Sequence, residues 1–328
     1  MKVFLAGATG AIGKRLVPRL VAAGHDVVGM SRSADNARAL LRAGADAVVA
    51  DGLNRVAVMQ AVMRSEPDAV IHEMTALTGM TNLRNFDKAF TLTNRLRTEG
   101  TDHLLEAARA AGARRFIAQS FGNWYEHAGP AAQTEEDPLE HTPPAHQRQS
   151  FTAVRHLERE VAGADDLVGV VLRYGGLYGP GSGFSPTGEI APLLRKRRFP
   201  IIGDGGGVWS FVHVDDAATA TVAALERGET GIYNICDDDP APVTEWLPAL
   251  ARALDAPPPR HVPVWLGRIA GGEVAVAMMI KNRGASNAKA KRELEWNLIF
   301  PSWREGFRKG MKGVPVGQVR ESMAEELS

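Results

Sequence analysis

The sequence predicts an α/β fold built on a doubly wound parallel sheet, with a smaller, interleaved C-terminal part. Three observations lead there. Short apolar runs alternate with helix-periodic stretches over the first 173 of 328 residues. A glycine-rich turn, Gly7-Ala8-Thr9-Gly10-Ala11-Ile12-Gly13, lies between the first apolar run and the first helical pattern. The alternation then breaks down after Tyr178, where Gly, Pro and Arg clusters dominate up to Gly207.

Taken in order, Val3-Phe4-Leu5-Ala6 reads as a strand buried on both faces. Ile12, Leu16, Val17, Leu20 and Val21 follow at helical spacing and Gly24 closes that helix. Strands are expected at 26–30, 47–50, 69–72, 115–118 and 168–173, and helices at 37–43, 56–63, 83–111 and 149–162. The segment 122–145 is polar, Pro-rich and aromatic and reads as a long loop at the edge of a site. Strand-like pieces at 210–214 and 231–235 are expected to return to the main sheet. The division is therefore 1–178 as a mainly nucleotide-binding unit and 179–328 as a mainly substrate-binding one.

Composition excludes several classes. The 38 basic residues balance 38 acidic ones, so nothing in bulk charge attracts nucleic acid or an anionic membrane. No apolar run reaches the ~18 residues of a membrane span, and the N-terminal run is too short for a signal peptide. Cys236 is the only cysteine, so no internal disulfide forms, and the cytoplasm is the expected compartment.

The glycine turn carries the chemistry. The first glycine permits a sharp turn, Gly10 lets backbone approach a pyrophosphate, and Gly13 lets helix and strand pack closely. The helix N-terminus offers unpaired N–H groups and a positive dipole end. This is the fingerprint of a Rossmann-type dinucleotide site. At the end of the second strand an acid would hold the ribose 2′-hydroxyl of NAD. The sequence has Ser31-Arg32-Ser33 instead, which favours the 2′-phosphate of NADP(H). Asp51, after the third strand, is either an adenine contact or a helix cap.

With these segments placed, the chain resembles the extended short-chain dehydrogenases/reductases, the NAD-dependent epimerase/dehydratase superfamily. Four further segments carry the resemblance. Gly100-Thr101 with Leu104-Leu105-Glu106-Ala107-Ala108 resembles the N-x-x-G-T helix, with Arg97 at the Asn position and Asn94 one turn earlier. RYGGLYGPG (173–181), Phe211-Val212-His213-Val214-Asp215-Asp216, and Asn287-Ala288-Lys289 with Glu293-Leu294-Glu295-Trp296 match the others. The resemblance implies cofactor contacts at Gly7, Thr9, Gly10, Ala11, Ile12, Gly13, Ser31, Arg32, Asp51, Gly52, Met74, Thr75, Asn94, Ser120 and Tyr174.

The catalytic set of that superfamily is a Ser or Thr followed by Tyr-x-x-x-Lys. Anchoring the helix on Glu158 puts Ser150 at the Tyr position and Val154 at the Lys position. Aligning the fifth strand puts Phe121 at the Ser/Thr position. No Tyr-x-x-x-Lys exists anywhere in the chain. The arginine that grips nucleotide-sugar diphosphates is replaced by Trp209. The resemblance is therefore to the triad-less ketoreductases of aromatic polyketide (angucyclinone) antibiotic biosynthesis. These would reduce an aromatic ketone with NADPH, the proton coming from a substrate phenol or water.

Phe121, Trp124, Ser150, Tyr178, Trp209 and Met278 would line the substrate pocket, although each aromatic also reads as ordinary core. Two other functions stay open: a non-catalytic NADP(H) sensor, and a sugar-nucleotide epimerase or dehydratase with Tyr125 as a relocated acid. The stretch 269–283, rich in Met and flanked by glycines, reads either as a mobile lid or as a core helix. His72-Glu73 and His213 with Asp215 and Asp216 read as structural rather than metal-binding, and Arg195-Lys196-Arg197-Arg198 as a solvated face. Monomer and homodimer are both open.

Overall fold

In the computed structural model, residues 1–77, 83–122 and 124–312 are described. Seven strands form the central sheet: β1 (Lys2–Ala6), β2 (Asp26–Ser31), β3 (Asp46–Val49), β4 (Ala69–His72), β5 (Arg115–Phe121), Val168–Tyr174 and Gly231–Ile235. They are all parallel, in the order Gly231–Ile235, Val168–Tyr174, β5, β4, β1, β2, β3. The order reverses between β1 and β4. The carboxyl ends there open the crevice in which doubly wound sheets bind ligands.

Continuous apolar strands are explained by two covered faces. Val3 and Leu5 of β1 join one core, with α1 (Gly13–Ala22), α2 (Ala34–Arg42) and the helix Val214–Arg227. Phe4 and Ala6 join the other, with α3 (Arg55–Ser65), α6 (Glu99–Ala110) and α7 (Arg148–Ala162). All four side chains are fully buried. Removing a leucine-sized side chain from such a site costs roughly 2–5 kcal/mol.

One expected element is corrected. The periodic stretch 83–111 is not one helix. A 3-10 turn at Leu83–Asn85 leads into α4 (Phe86–Ala89), α5 (Thr91–Arg97) and then α6. The chain is distorted at Thr98 (φ −99°, ψ −85°). The Thr98 hydroxyl donates to Asn94 O and that of Thr101 to Arg97 O. Such back-bonding bends helices, and it turns Asn94 and Arg97 toward the end of the sheet.

The C-terminal part has its own core, in which Trp209, Phe211, Trp246, Trp303 and Phe307 pack together. Phe211–His213 pairs with Gly176–Tyr178 as a separate two-stranded piece, whereas Gly231–Ile235 is the last strand of the main sheet. The FVHVDD segment staples the two regions. His213 Nδ1 accepts from Asp215 N, and its Nε2 meets Gly310 O at 2.8 Å. Asp215 pairs with Arg19 of α1 at 2.7 Å, and Asp216 accepts the N–H groups of Ile299 and Phe300. Among the described residues no cluster of His, Cys, Asp or Glu suits a metal ion, and no helix is long and apolar enough to cross a membrane.

Candidate active site

The glycine turn leaves β1 at the switch point. Gly7 sits at φ +95°, and a Cβ there would lie 2.5 Å from the carbonyl of Glu73 at the end of β4. A Cβ on Gly13 would lie 2.3 Å from Gly7 O, so helix and turn touch backbone to backbone. Gly10 N bonds Gly7 O at 3.0 Å. Among the described residues no backbone hydrogen bond takes up the N–H of Ala11, Ile12 or Gly13. Those donors and the positive end of α1 face the mouth of the crevice, a cradle of the right chemistry for a pyrophosphate.

At the end of β2, Ser31 is buried and its hydroxyl is tied to the backbone of Ser33. Arg32 is exposed, and no ion pair engages it among the described residues. After β3, Asp51 Oδ1 accepts from Leu53 N at 3.0 Å. The cap of α3 is Asn54, which accepts from Ala57 N at 3.1 Å, so the cap reading of Asp51 is corrected. Gly52 is pressed against Met74, whose Sδ would lie 2.5 Å from an added Cβ. Thr75, half-buried, follows Met74 at the end of β4.

Directly under the cradle is a buried acid. Glu73 Oε1 meets the Tyr174 hydroxyl at 2.9 Å, and Oε2 has no partner. The Tyr174 hydroxyl also meets Thr221 Oγ1 at 2.6 Å, and Thr221 donates to Ala217 O. The Tyr174 hydroxyl donates to Glu73 Oε1, and its contact with Thr221 can take a proton from either hydroxyl. Burial pushes the Glu73 carboxyl up to about 8. A neutral acid keeps negative charge away from the pyrophosphate site. Tyr174 is 1% exposed and spent on these contacts, which corrects the expectation that its side chain touches the cofactor. His72 is fully buried and held down to about 4 by burial; it accepts from Met74 N.

At the superfamily's catalytic positions the side chains are locked. Ser150 N and its hydroxyl both donate to Asp87 Oδ1, at 2.9 and 2.7 Å, and Asn94 Nδ2 donates back to Ser150 Oγ at 3.0 Å. Asp87 also accepts from Gln149 N, anchoring the start of α7. Val154 is completely buried. Ser120 donates to Glu158 at 2.7 Å, inside the sheet. Glu158 is paired with Arg173, which donates to the Tyr125 hydroxyl at 2.9 Å. Tyr125 in turn donates to Asn234 at 2.6 Å, and burial pushes its phenol up to about 12. Tyr125 is therefore a fixed strut and a poor acid.

Phe121, next to this network, opens an aromatic chamber. Trp124 stands edge-on to Phe121 at 5.2 Å and stacks on Phe151 at 4.5 Å. Phe86 and Phe90 stack at 4.0 Å behind them, and Val154, Val274 and Met278 complete the wall. A small cavity of about 20 Å³ adjoins it, bounded by Trp124, Phe151, Met278 and the His127–Glu140 pair at 2.9 Å. The structure thus brings together Phe121, Trp124, Ser150 and Met278. It does not bring Tyr178 or Trp209 there. Tyr178 is enclosed by Phe211, His213 and Phe307. Trp209 is in the C-terminal core, its indole donating to Met278 O at 2.8 Å. Both corrections have one cause: the short strands that carry them turn into the second core.

Phe86, Phe90 and Phe151 were hidden from sequence reasoning. The i, i+4 spacing of Phe86 and Phe90 was the available signal, and it reads equally as core. The 269–283 stretch belongs to the helix Val264–Ile280, which breaks at Gly272 (φ 80°, ψ 179°). Its second half packs Val274 and Met278 on the chamber, while Trp265, Leu266 and Ile269 of the first half are exposed.

Sheet order, glycine cradle and crevice define the class: a Rossmann-type α/β protein whose glycine turn is of the kind that cradles a dinucleotide. Residues 3–236 match the NAD dependent epimerase/dehydratase family, to which the chain belongs. It is 45% identical over 308 residues to the 3-diazoavenalumate denitrifying reductase of a Streptomyces species, covering 94% of this chain and 99% of that one. It is 26% identical to the 4-hydroxy-2-methyl-3-oxo-4-farnesyl-3,4-dihydroquinoline-1-oxide ketoreductase of Stigmatella aurantiaca, over 76% of this chain and 72% of the relative. Among solved structures, the UDP-glucose 4-epimerase of Thermus thermophilus in complex with NAD superposes with a TM-score of 0.72 at 25% identity, covering 95% of this chain and 98% of that one.

Proposed function

We propose that this protein is an NADPH-dependent reductase that delivers hydride to an electron-poor aromatic acceptor and uses no side chain as acid. The observation that carries the proposal is Ser150. It stands where the family's acid belongs, yet its proton is committed to Asp87, and the neighbouring lysine position is the buried Val154. The cradle fits the cofactor: the N–H groups of the turn suit the pyrophosphate, and Ser31 and Arg32 suit a 2′-phosphate. When bound, the cofactor supplies hydride. The residues position it, pack the acceptor against the aromatic wall of Phe121 and Trp124, and exclude water.

An acceptor that makes no alkoxide needs no acid. An aryl diazonium is such an acceptor. Hydride taken at its terminal nitrogen gives an aryldiazene, which loses N2 as its N–H proton moves to the ring carbon. The sum is ArN2⁺ + H⁻ → ArH + N2, with no proton from the protein. The 45%-identical relative, a denitrifying reductase of a diazo compound, supports this acceptor. An aromatic polyketide-like ketone is the second reading, supported by the Stigmatella ketoreductase. There the alkoxide oxygen takes its proton from an adjacent substrate phenol or from water. The epimerase reading loses support because Tyr125 is locked and Trp209 is in the core.

The test is turnover. NADPH deuterated at C4 of the nicotinamide is mixed with an aryl diazonium carboxylate or an ortho-hydroxyaryl ketone, against enzyme-free controls. NADPH oxidation above the control is expected, matched by N2 and arene from the diazonium or by deuterium at the carbinol carbon from the ketone; the diazene N–D exchanges with water, so the arene need not keep the label. Tight NADPH binding with neither acceptor reduced above the control would reject the reductase and leave a nucleotide sensor.

A further inference from the structure

Three buried polar side chains around the aromatic chamber have atoms that no group among the described residues satisfies. Arg97 is 4% exposed, and its Nε and Nη1 have no hydrogen-bond partner. Trp124 is also 4% exposed, with its indole N–H unpartnered. Asn94, one helical turn before Arg97, donates to Ser150 but leaves its Oδ1 unpartnered. The three are close: the Arg97 guanidinium carbon is 5.8 Å from the centroid of the Trp124 ring. They bracket Ser150 and Val154.

A buried guanidinium without a counter-ion is expensive, and buried donors without acceptors are rare. Among the described residues no free carboxylate supplies the missing charge. Glu158 is the anion Arg97 senses. Its Oε1 already accepts from Ser120 and Arg173 Nε, and its Oε2 from Arg173 Nη2. A neutral ribose hydroxyl would satisfy a donor but leave the charge uncompensated. An anionic oxygen satisfies both. The indole N–H and guanidinium N–H groups are donors only, so they suit an acceptor that carries no proton.

We infer that Arg97 and Trp124 form an anion subsite in the aromatic chamber, which selects aromatic substrates bearing a carboxylate or phenolate oxygen. The subsite gives the α5 helix a binding role at the position where relatives place asparagine. It also orients a flat substrate by one charged edge, leaving the opposite edge for the hydride. The inference rests on the reading of the chamber as the substrate site, but its test does not need turnover.

Binding is measured by calorimetry on the NADP⁺-loaded protein with 2-naphthoate, methyl 2-naphthoate and 4-nitrophenolate, for the parent, Arg97→Met and Arg97→Lys. The parent is expected to prefer at least one anion over the ester by about 30-fold or more, the scale of a desolvated charge pair. Arg97→Met should abolish that preference, and Arg97→Lys should restore part of it. Preference for naphthoate identifies a carboxylate, and preference for nitrophenolate a phenolate. Removing an uncompensated charge should also leave the thermal midpoint of ligand-free Arg97→Met equal to or above the parent's. Unchanged anion affinity in Arg97→Met would overturn the inference, as would an equal loss of NADPH affinity or a lowered midpoint with the preference intact. Anion binding that depends on Arg97, in a protein that reduces neither acceptor, would sustain the subsite and reject the reductase.

Discussion

Arg32→Ala is expected to weaken NADPH binding about 10- to 100-fold and leave NADH binding unchanged. A charge-assisted contact to a phosphate contributes about 1.5–3 kcal/mol, and each 1.4 kcal/mol is tenfold in affinity. The geometry permits a clean result. Arg32 is exposed at the carboxyl end of β2, and no described carboxylate ties it down. Ser31 beside it shapes the turn through Ser33. The measurement is fluorescence titration of both cofactors against both proteins. Equal affinities of the parent for NADPH and NADH would remove the assignment of the 2′-phosphate to this turn.

Glu73→Gln is expected to stabilise the protein at high pH and to have little effect at low pH. An unfolded glutamate titrates near 4.5, whereas burial pushes Glu73 up to about 8. The raised value fixes the sign. Below 4.5 both states are protonated and the buried acid carries no penalty. Between 4.5 and about 8 folding must take up a proton, so stability is lost as pH rises through that window. At 1.36 kcal/mol per pH unit the loss approaches about 3 kcal/mol at neutral pH. Glutamine keeps an acceptor for Tyr174 and carries no charge, so it removes the titration without emptying the site. Thermal midpoints of parent and variant should converge near pH 4.5 and separate by roughly 5 °C near pH 8. Other buried titrating groups, Asp216 and His72 among them, are common to both proteins and cancel in the difference. A gap that does not change with pH would contradict the raised titration of the buried Glu73 carboxyl.

The fold was largely legible because its signals are local. Apolar runs such as 3–6 and 69–72, each followed by helical spacing, specify strands covered on both faces. Gly7 and Gly13 mark a turn whose glycines are required by backbone contacts of 2.5 Å or less. The helical stretch 83–111 misled because periodicity does not register where Thr98 and Thr101 bend the chain. The site was legible only in part. Ser150 and Val154 were placed by spacing from Glu158 along one helix, and Phe121 by aligning the fifth strand. Phe86 and Trp124 meet across 38 residues of sequence, Glu73 and Tyr174 across 101, and Arg97 and Trp124 across 27. Nothing in the sequence near any of them announces the partner. Arg97 read only as a lost asparagine, and Glu73 only as half of a weak metal pair. Their meaning comes from what burial leaves unsatisfied, which exists only in three dimensions.

The central claim is hydride transfer without a side-chain acid, and Ser150 is the residue on which it turns. General acid catalysis by a positioned group contributes typically about 10²–10⁴-fold. The decisive measurement is the single-turnover rate of Ser150→Ala relative to the parent, with saturating NADPH and the acceptor that proves to be reduced. The variant loses a hydroxyl already committed to Asp87, and the rate is expected to stay within about threefold. A fall of about 100-fold or more, with NADPH affinity intact, would make Ser150 the acid and contradict the account.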